Sequence, residues 1–484
     1  MLDRVHESHR AGAANMLHYL ALRSRDLRPL QERLTEAGLS SLGRMESNVL
    51  GNLHAVLALL DDAIDGAVGD RILVPGERLR AELPRGAAAL FGGAPEDRST
   101  RIMVTLPTEA ADDAALVDGY AAAGMDVARI NSAHDDPDRW RRMARNVRIA
   151  GTGIPVAVDL AGPKIRTGPI APTTDPPRAG SGKGREHAKA GKRPALRIHM
   201  GDTVTLTADL APVPPTTGER HRIGCTLPEA LEMLEPGHRV VFDDGSIQGT
   251  VVAVRPGEAD VRIGVAGDRG TKLRAEKGVN LPDTPLRVPA LSSVDRRTLT
   301  DAREWADIVQ LSFTRSAADV RDLLDALEQA DAAALGVIVK IETPSGFQAL
   351  PEILLELMTH ERAGVMIARG DLGVEVGFTR LAEVQEEMLW LCESARIPVV
   401  WATEVLDTLA TTGVPTRAEV TDAATANRAE CVMLNKGPHI VEAIRALDDI
   451  LTRMHGHLHK KRFLLRALRS WDRDTTPSSA PHPE

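Results

Sequence analysis

Cysteine is scarce in this chain of 484 residues, and the few present form no metal or disulfide pattern. Cys225, Cys392 and Cys431 lie far apart, show no CxxC spacing and sit in or beside apolar runs. Such cysteines favour buried free thiols over disulfides or zinc ligands. We therefore expect the protein to work in a reducing compartment, the cytoplasm.

Long apolar runs are also absent. No run approaches the roughly 18 apolar residues that a membrane helix requires, and the first residues, MLDRVHESHR, lack the apolar core of a signal peptide. The net charge of -9 argues against a general binder of polyanions. These absences predict a soluble protein that binds neither a membrane nor nucleic acid.

What the chain does contain, from about Arg101 onward, is a regular alternation of short apolar runs with amphipathic helical patterns. This alternation is typical of a parallel sheet wrapped by helices. The apolar runs begin at Arg101, Met125, Ile154, Ala306, Leu335, Ala363, Pro398 and Cys431. Eight strands with intervening helices predict an α/β fold, the TIM barrel.

The alternation breaks once, between Asp159 and about Lys277. Short alternating segments there, such as TVTLTADL and RVVFDDGSIQGTVVAV, predict a small all-β insertion after the third strand. An insertion at this point is expected over the barrel mouth, where a lid could exclude water during a reaction. Its stretch from Pro172 is rich in Pro, Gly and basic residues and predicts a disordered loop.

Leucine-rich helical periodicity before the barrel predicts an N-terminal helical module. Its role stays open among oligomerisation, packing against the barrel and partner binding. A helix that begins near His439 runs into a polar tail that predicts disorder. The predicted boundaries are 1–97 for the helical module, 98–167 and 278–456 for the two parts of the barrel, 168–277 for the lid, and 457–484 for the helix end and tail.

Two consecutive barrel strands are predicted to end in carboxylates. The fifth apolar run ends in Lys340 and Glu342, and the sixth is followed by Asp371. Because the ends of barrel strands gather on one face, these groups could hold a divalent cation against a phosphate or an enolate, while Lys340 neutralises developing charge. A solvated strand end with a surface ion pair would explain either segment alone, but two in consecutive units favour a site.

Nine short motifs follow one another across roughly residues 100–455: MDVARIN, DLAGPKIRTG, FDDGS, KGVNLP, QLSFTR, KIETPSG, ARGDLGVE, WATEVL and PTRAEVTD. In order and spacing this series resembles the pyruvate kinase family. The resemblance implies an enzyme that moves the phosphoryl group of phosphoenolpyruvate to ADP, giving pyruvate and ATP. It implies Mg²⁺ or Mn²⁺ as the cofactor and leaves a homo-oligomer open.

The resemblance assigns roles in the catalytic core. Glu342 and Asp371 match the family's metal ligands, and Lys340 matches the lysine that contacts the transferring phosphoryl group and the enolate. Arg129 matches an arginine that contacts phosphate, for which the fixed fork of a guanidinium is well suited. Thr403 matches the threonine of the proton-delivery network. The implied catalytic residues are therefore Lys340, Thr403 and Arg129.

The resemblance also implies where the substrates bind. Arg166 and His134 match family positions on the nucleotide side, and Asp244 and Lys277 of the lid resemble positions that face the nucleotide. Backbone amides at a helix start around Gly370 would receive the substrate carboxylate. The substrate- and nucleotide-binding residues implied in this way are Arg129, Asn131, His134, Arg166, Asp244, Lys277, Gly370, Asp371 and Thr403.

The monovalent cation site of the family is altered here. Potassium-dependent members bind that ion with an Asn, a Ser, an Asp and a Thr; Asn131 and Asp159 are kept, whereas Ala133 and Leu160 replace the other two. Potassium-independent members carry Lys in place of Glu in the GPxIR segment, and this chain has Lys164 there. An ammonium group can replace a monovalent cation beside a phosphate. We therefore expect activity that does not require potassium.

Three loops depart from the family pattern. MLNKGPH, from Met433, replaces the usual MLSGETAxG, Glu404 replaces the Gln after the seventh-strand threonine, and the first-strand loop reads TLPTEA instead of TIGPAS. The family's C-terminal regulatory domain is expected to be absent, and with it control by a sugar phosphate.

Two other functions stay open beside the kinase. One is a metal-dependent lyase or aldolase that acts on a keto acid, against which the retained lid argues. The other is a catalytically weak regulatory binding protein, against which the three charges of Lys340, Glu342 and Asp371 argue.

Overall fold

The computed structural model of the chain describes residues 2–36, 42–43, 45–65, 81–151, 153–171, 194–214 and 218–455. The chain divides into two compact units. The first, the barrel unit, comprises residues 1–162, 290–369 and 379–484, and the second comprises 163–289 and 370–378. The predicted disordered stretch from Pro172 and the predicted C-terminal tail lie outside the described residues, except for Pro194 at the end of that stretch.

The strands and helices have the following bounds. The strands are β1 (Arg101–Thr105), β2 (Val127–Asn131), β3 (Val156–Asp159), β4 (Ala195–Ile198), β5 (Thr203–Thr207), β6 (Arg220–Gly224), β7 (Arg239–Phe242), β8 (Ile247–Arg255), β9 (Glu258–Val265), β10 (Thr271–Arg274), β11 (Val279–Asn280), β12 (Ile308–Leu311), β13 (Gly336–Ile341), β14 (Ala363–Ala368), β15 (Val399–Ala402) and β16 (Cys431–Leu434). The α-helices are Arg10–Arg23, Arg28–Glu36, Val49–Asp65, Glu82–Phe91, Ala114–Ala123, Pro137–Ala150, Pro228–Leu231, Ser293–Ala302, Ala317–Gln329, Pro344–Gln348, Leu350–Leu357, Arg369–Val376, Phe378–Ala395, Asp407–Thr412, Arg417–Ala426 and Ile440–Met454. Short 3-10 helices cover Leu2–Arg4, Glu7–His9 and Thr108–Ala111.

The barrel unit contains a closed barrel of parallel strands in the order β1-β16-β15-β14-β13-β12-β3-β2. All eight predicted strands are present, so the predicted TIM barrel is confirmed. Most of their residues are buried, because one face of each strand points into the barrel and the other packs under the helices. Strands of this kind read as nearly continuous apolar runs, which is why the sequence revealed them.

A helix that precedes the first strand fills the N-terminal end of the barrel. Leu90 and Phe91, from the helix Glu82–Phe91, belong to one buried cluster with a residue from every barrel strand. A Cβ atom placed on Gly336 or Gly364 would lie 2.5 or 2.6 Å from the Leu90 side chain. Glycine at these two strand positions therefore leaves the space that the Leu90 side chain occupies.

The N-terminal helices pack against the outside of the barrel. Asn15 donates from Nδ2 to the carbonyl oxygens of Glu46 and Ser394 and accepts at Oδ1 from the Val49 N–H, the last at 2.8 Å. The ring of His9 contacts the Glu361 carbonyl oxygen at 2.6 Å. Of the three roles that the sequence left open for this module, packing against the barrel is therefore observed.

The second unit consists mainly of β-structure. Strands β5, β6, β7, β8, β9 and β11 form one sheet, and β4 pairs with β10. Its buried cluster includes Phe242, Val261 and Leu273. Between β7 and β8, Asp243, Asp244 and Gly245 all have positive φ, which makes the tight turn of the FDDGS motif.

No helix in the described ranges is both long enough and apolar enough to cross a membrane.

Candidate active site

Four neighbouring barrel strands carry polar residues at inward positions near their C-terminal ends. Val127, Ala157, Ile308 and Ile338 point into the buried barrel cluster, and because side chains alternate along a strand, the residue two positions later also points inward. These second residues are Arg129, Asp159, Gln310 and Lys340. The apolar interior of the barrel is therefore followed by a polar layer at the end where active sites of this fold are built.

Lys340 lies at the centre of this polar layer. Its Nζ is 2.9 Å from Ser312 Oγ, 3.1 Å from Glu342 Oε1 and 3.3 Å from Asp159 Oδ1. Burial lowers the pKa of Lys340, but the two carboxylates outweigh burial and leave the pKa raised. The side chain therefore carries a positive charge at neutral pH.

Arg129 and Asp159 form a buried ion pair beside Lys340. Arg129 also donates to Thr105 Oγ1 at 2.7 Å and to Gln310 Oε1 at 3.3 Å. Burial raises the pKa of Asp159, but Arg129 and Lys340 outweigh it and leave the pKa lowered. Two cations thus flank the Asp159 carboxylate, and each is a charge that an anionic phosphate could also contact.

Glu342 follows Lys340 at the end of β13 and is 2% exposed. Its Oε2 accepts a hydrogen bond of 2.6 Å from the backbone N–H of Phe313. Phe313 has a φ of 55°, a left-handed conformation that directs this N–H at the carboxylate. The Glu342 carboxylate is therefore held by the main chain on one oxygen and by Lys340 on the other.

Thr403 and Glu404 form a turn in the left-handed region directly after β15. Their φ values are 65° and 57°, which is unusual for residues with a side chain and costs about 1–3 kcal/mol each. The Thr403 hydroxyl donates to the Ala402 carbonyl oxygen at 2.7 Å. Glu404 is exposed. Such strain is often found at functional sites, so the turn is a candidate part of one.

Asp371 lies in the second unit, in the first turn of the helix Arg369–Val376. Lys164 Nζ approaches its two carboxylate oxygens at 2.9 and 2.8 Å. Asn280 Nδ2 lies 3.5 Å from Asp371 Oδ1 and donates to Glu375 Oε1 at 2.9 Å. The pKa of Glu375 is raised to about 7. Burial is the largest cause, the hydrogen bond from Asn280 opposes it, and the nearby charge of Asp371 adds to the increase.

The predicted nucleotide residues of the second unit lie close together. Arg166 pairs with Gly278 as an isolated β-bridge and donates to the Glu276 carbonyl oxygen at 3.0 Å. Lys277 Nζ lies 2.7 Å from Asp243 Oδ1, next to Asp244 in the tight turn. The second unit thus gathers Lys164, Arg166, Asp244, Lys277, Gly370 and Asp371, whereas Arg129, Asn131, His134, Lys340, Glu342 and Thr403 belong to the barrel unit.

The positions related to the potassium site are also resolved. Asn131 Oδ1 accepts from the Ala133 N–H at 3.0 Å. Leu160 has a fully buried side chain, and its carbonyl oxygen accepts from Ser312 Oγ at 2.7 Å. His134 is exposed, and its carbonyl oxygen accepts from Trp140 Nε1 at 2.8 Å. Neither Ala133 nor Leu160 has a side-chain oxygen that could replace the family's Ser and Thr.

Several polar residues of these clusters were missed by sequence reasoning. Gln310 and Ser312 contact Arg129 and Lys340, respectively, and both lie in the QLSFTR motif. A polar residue two positions after an inward apolar residue of a barrel strand was the available signal. Sequence reasoning also missed Asn280 and Glu375 in the second unit, which are hydrogen-bonded to each other, and the ion pair between Arg369 and Asp422 in the barrel unit.

Glu342 and Asp371 suit a hard divalent cation because both offer carboxylate oxygens, the ligands that Mg²⁺ and Mn²⁺ prefer. Across the described ranges, no three His, Cys, Asp or Glu side chains group as a metal site. Mg²⁺ in phosphate-transfer sites usually takes one or two carboxylates and completes its shell with water and substrate phosphates. Each of the two residues, one in the barrel unit and one in the second unit, therefore offers the ligand type that the implied cation takes.

A protein-family model described as the barrel domain of pyruvate kinase matches residues 97–439. Among curated proteins, a pyruvate kinase of Methylorubrum extorquens is 34% identical over 364 residues, which is 73% of this chain and 68% of that protein. A pyruvate kinase of Geobacillus stearothermophilus is 30% identical over 378 residues, 76% of this chain and 59% of that protein. Human pyruvate kinase PKLR is 30% identical over 402 residues, 79% of this chain.

These matches do not extend over the whole of the relatives. The matched region spans 59% of the Geobacillus protein and 65% of the human protein, less than two thirds of either. The region that the family model matches, residues 97–439, includes the strands of the barrel, the polar layer at their C-terminal ends and the second unit.

Proposed function

Because the chain belongs to the pyruvate kinase family, we propose that it transfers the phosphoryl group of phosphoenolpyruvate to ADP, forming ATP and pyruvate. The observation that carries this proposal is the buried ammonium group of Lys340 between Asp159 and Glu342, at the C-terminal end of a barrel strand. The reaction takes up one proton, at the methylene carbon, when the enolate of pyruvate becomes pyruvate.

In this proposal the chain's cations offset charge during phosphoryl transfer. Arg129 binds the phosphate, and Lys340 stabilises the negative charge that develops on the enolate oxygen as the bond to phosphorus breaks. Glu342, in the barrel unit, and Asp371, in the second unit, are the proposed ligands of the divalent cation, which when bound would supply further positive charge to offset that of the phosphoryl group. The lowered pKa of Asp159 supports a role as a permanent anion that keeps both cations oriented.

The remaining proposed roles concern the proton, the carboxylate and the nucleotide. Thr403 belongs to the path that delivers the proton to the methylene carbon, and the amides around Gly370 bind the substrate carboxylate. The second unit acts as the lid. Its residues Arg166, Asp244 and Lys277 are proposed to bind ADP, and within the barrel unit the nucleotide-binding roles are proposed for Asn131 and His134.

Lys164 is proposed to replace the monovalent cation. Its ion pair with Asp371 and the missing oxygen side chains at Ala133 and Leu160 support activity without potassium. A reducing, cytoplasmic location is proposed as well, since Cys225, Cys392 and Cys431 are free and buried.

The test is formation of pyruvate and ATP from phosphoenolpyruvate and ADP, with Mg²⁺, with Mn²⁺ and with a chelator. Lys340→Arg keeps a cation between the two carboxylates but moves it, so the variant should fold and lose at least about 10²-fold in kcat. Lys272→Ala, which removes an exposed lysine of β10, is the matched control and should keep wild-type rates.

Each result has a definite meaning. Turnover that requires the metal and falls in Lys340→Arg, but not in Lys272→Ala, supports the proposal. A wild-type protein that binds phosphoenolpyruvate, by calorimetry, without forming pyruvate contradicts it. In that case a keto-acid lyase or a regulatory binding protein is the better description.

A further inference from the structure

Arg369 contacts three parts of the barrel unit whose relative positions matter for the proposed reaction. It follows β14 directly, is 8% exposed, and begins the helix Arg369–Val376. Both terminal nitrogens of its guanidinium group contact the carboxylate of Asp422, with Nη2 2.7 Å from Oδ2. Asp422 lies on the helix Arg417–Ala426, whose start is fixed by the capping box of Thr416 and Glu419.

The same guanidinium group holds the turn after β15. Nη2 donates to the Thr403 carbonyl oxygen at 2.7 Å, and Nε donates to the Ala402 carbonyl oxygen at 3.2 Å. The guanidinium carbon lies 4.6 Å from the centre of the Trp401 ring, a stacking distance. One side chain therefore contacts Trp401, Ala402 and Thr403 in succession while Asp422 fixes it from the other side.

The held segment is under strain. Thr403 and Glu404 have positive φ, and Thr403 is β-branched, so this conformation persists only where the surroundings impose it. The two hydrogen bonds from Arg369 to successive carbonyl oxygens are contacts that can impose it. A lysine at position 369 would keep the charge but lose the planar fork and the stacking.

We propose that Arg369, oriented by Asp422, is a positioning residue that fixes the left-handed turn at Thr403 and thereby sets the Thr403 hydroxyl for proton delivery to the enolate. This inference rests on the proposed function. Arg369 need not touch substrate, and phosphoryl transfer itself, assigned to Lys340 and Arg129, does not depend on the turn.

The experiment separates the two chemical steps in the wild type and three variants. ATP formation from phosphoenolpyruvate and ADP reports phosphoryl transfer. Exchange of the pyruvate methyl protons into deuterated water, followed by NMR with Mg²⁺ and ATP present, reports proton delivery. Arg369→Lys and Asp422→Asn should lose at least about tenfold more in proton exchange than in ATP formation. Arg428→Lys, which alters the ion pair with Glu386, is the control and should lose neither.

Hydrogen–deuterium exchange of the backbone gives a measure that does not depend on activity. The amides of residues 403–406 should exchange faster in Arg369→Lys and Asp422→Asn, while those of β13 and β14 keep wild-type protection. Equal losses in both chemical steps, or unchanged exchange at the turn, overturn this inference and leave the proposed function standing. A wild type that makes no ATP overturns the proposed function and, with it, the role of Arg369 in proton delivery.

Discussion

The ammonium group of Lys164 lies 2.9 and 2.8 Å from the two carboxylate oxygens of Asp371, within the second unit. The side chains are 26% and 15% exposed, so the pair is partly shielded from water. An ion pair in such surroundings is screened less than one on an open surface. Lys164 therefore brings a fixed positive charge to a residue that is proposed to bind metal.

Lys164 should make the activity independent of potassium. The wild type is expected to show the same kcat in potassium and in tetramethylammonium chloride. Lys164→Glu places a like charge beside Asp371, so kcat should fall by about tenfold or more without potassium and recover in part when potassium is added. Steady-state rates in the two salts provide the measurement, with Lys272→Glu as the control. A strict potassium requirement of the wild type would refute the prediction.

Glu404 should weaken the binding of anionic substrates. It is exposed and directly follows Thr403 in the strained turn. Glu404→Gln removes one negative charge, so the KM for phosphoenolpyruvate and for ADP should fall by about two- to fivefold at low ionic strength. Added salt screens charges: in 0.5 M salt the Debye length is about 4 Å. The difference in KM between the variant and the wild type should therefore shrink in 0.5 M salt. A difference that persists in high salt would indicate a contact other than long-range charge.

Glu430 should limit stability at neutral and alkaline pH. Burial raises its pKa to about 7, although the Val399 N–H donates to it at 2.8 Å. In the unfolded chain the carboxyl group has its ordinary pKa of 4.5, so the folded state is penalised progressively as pH rises from 4.5 to about 7.

Glu430→Gln removes this penalty. The free energy of unfolding should rise by about 3 kcal/mol at pH 8 and stay nearly unchanged at pH 4.5. Urea denaturation at the two pH values measures the effect. Glu328→Gln, at an exposed position on the helix Ala317–Gln329, should show no such pH dependence. A gain of equal size at both pH values would show that the pKa of Glu430 is not the cause.

Asn15 should hold the N-terminal helices to the barrel. Asn15→Ala leaves the buried N–H of Val49 and two carbonyl oxygens without their partner, which should lower the free energy of unfolding by about 1–3 kcal/mol. Hydrogen–deuterium exchange should accelerate across Arg10–Arg23 before it does so in the barrel strands. Asn435→Ala, at an exposed residue whose side-chain oxygen accepts a hydrogen bond from the N–H of its neighbour Lys436, is the control.

The sequence predicted the barrel because its strands are buried on both faces and are separated by amphipathic helices. Each strand therefore appears as an apolar run that needs no knowledge of its partners. The start of the helix Ile440–Met454 beside His439 was predicted for a similar local reason, a change of periodicity. Features that depend only on residues close together in the chain could therefore be predicted from the sequence.

Contacts between residues that lie far apart in the chain could not be predicted from the sequence. The partner of Arg369 lies 53 positions away at Asp422, and the partner of Asn280 lies 95 positions away at Glu375. Nothing in the neighbouring sequence distinguishes these polar side chains from those of a solvated surface. The N-terminal periodicity of the sequence likewise predicted helices without their docking site; the first two of these helices are Arg10–Arg23 and Arg28–Glu36.

The helix Glu82–Phe91 has a consequence for how the barrel can be used. Its Leu90 and Phe91 belong to the buried interior, although they precede the first strand in sequence. The barrel is therefore closed at its N-terminal end by apolar side chains, whereas its C-terminal end carries charged ones. A truncation that removed residues 82–91 would expose the apolar side chains at the N-terminal end to water. The shortest stable fragment that contains the barrel must therefore begin before the first strand.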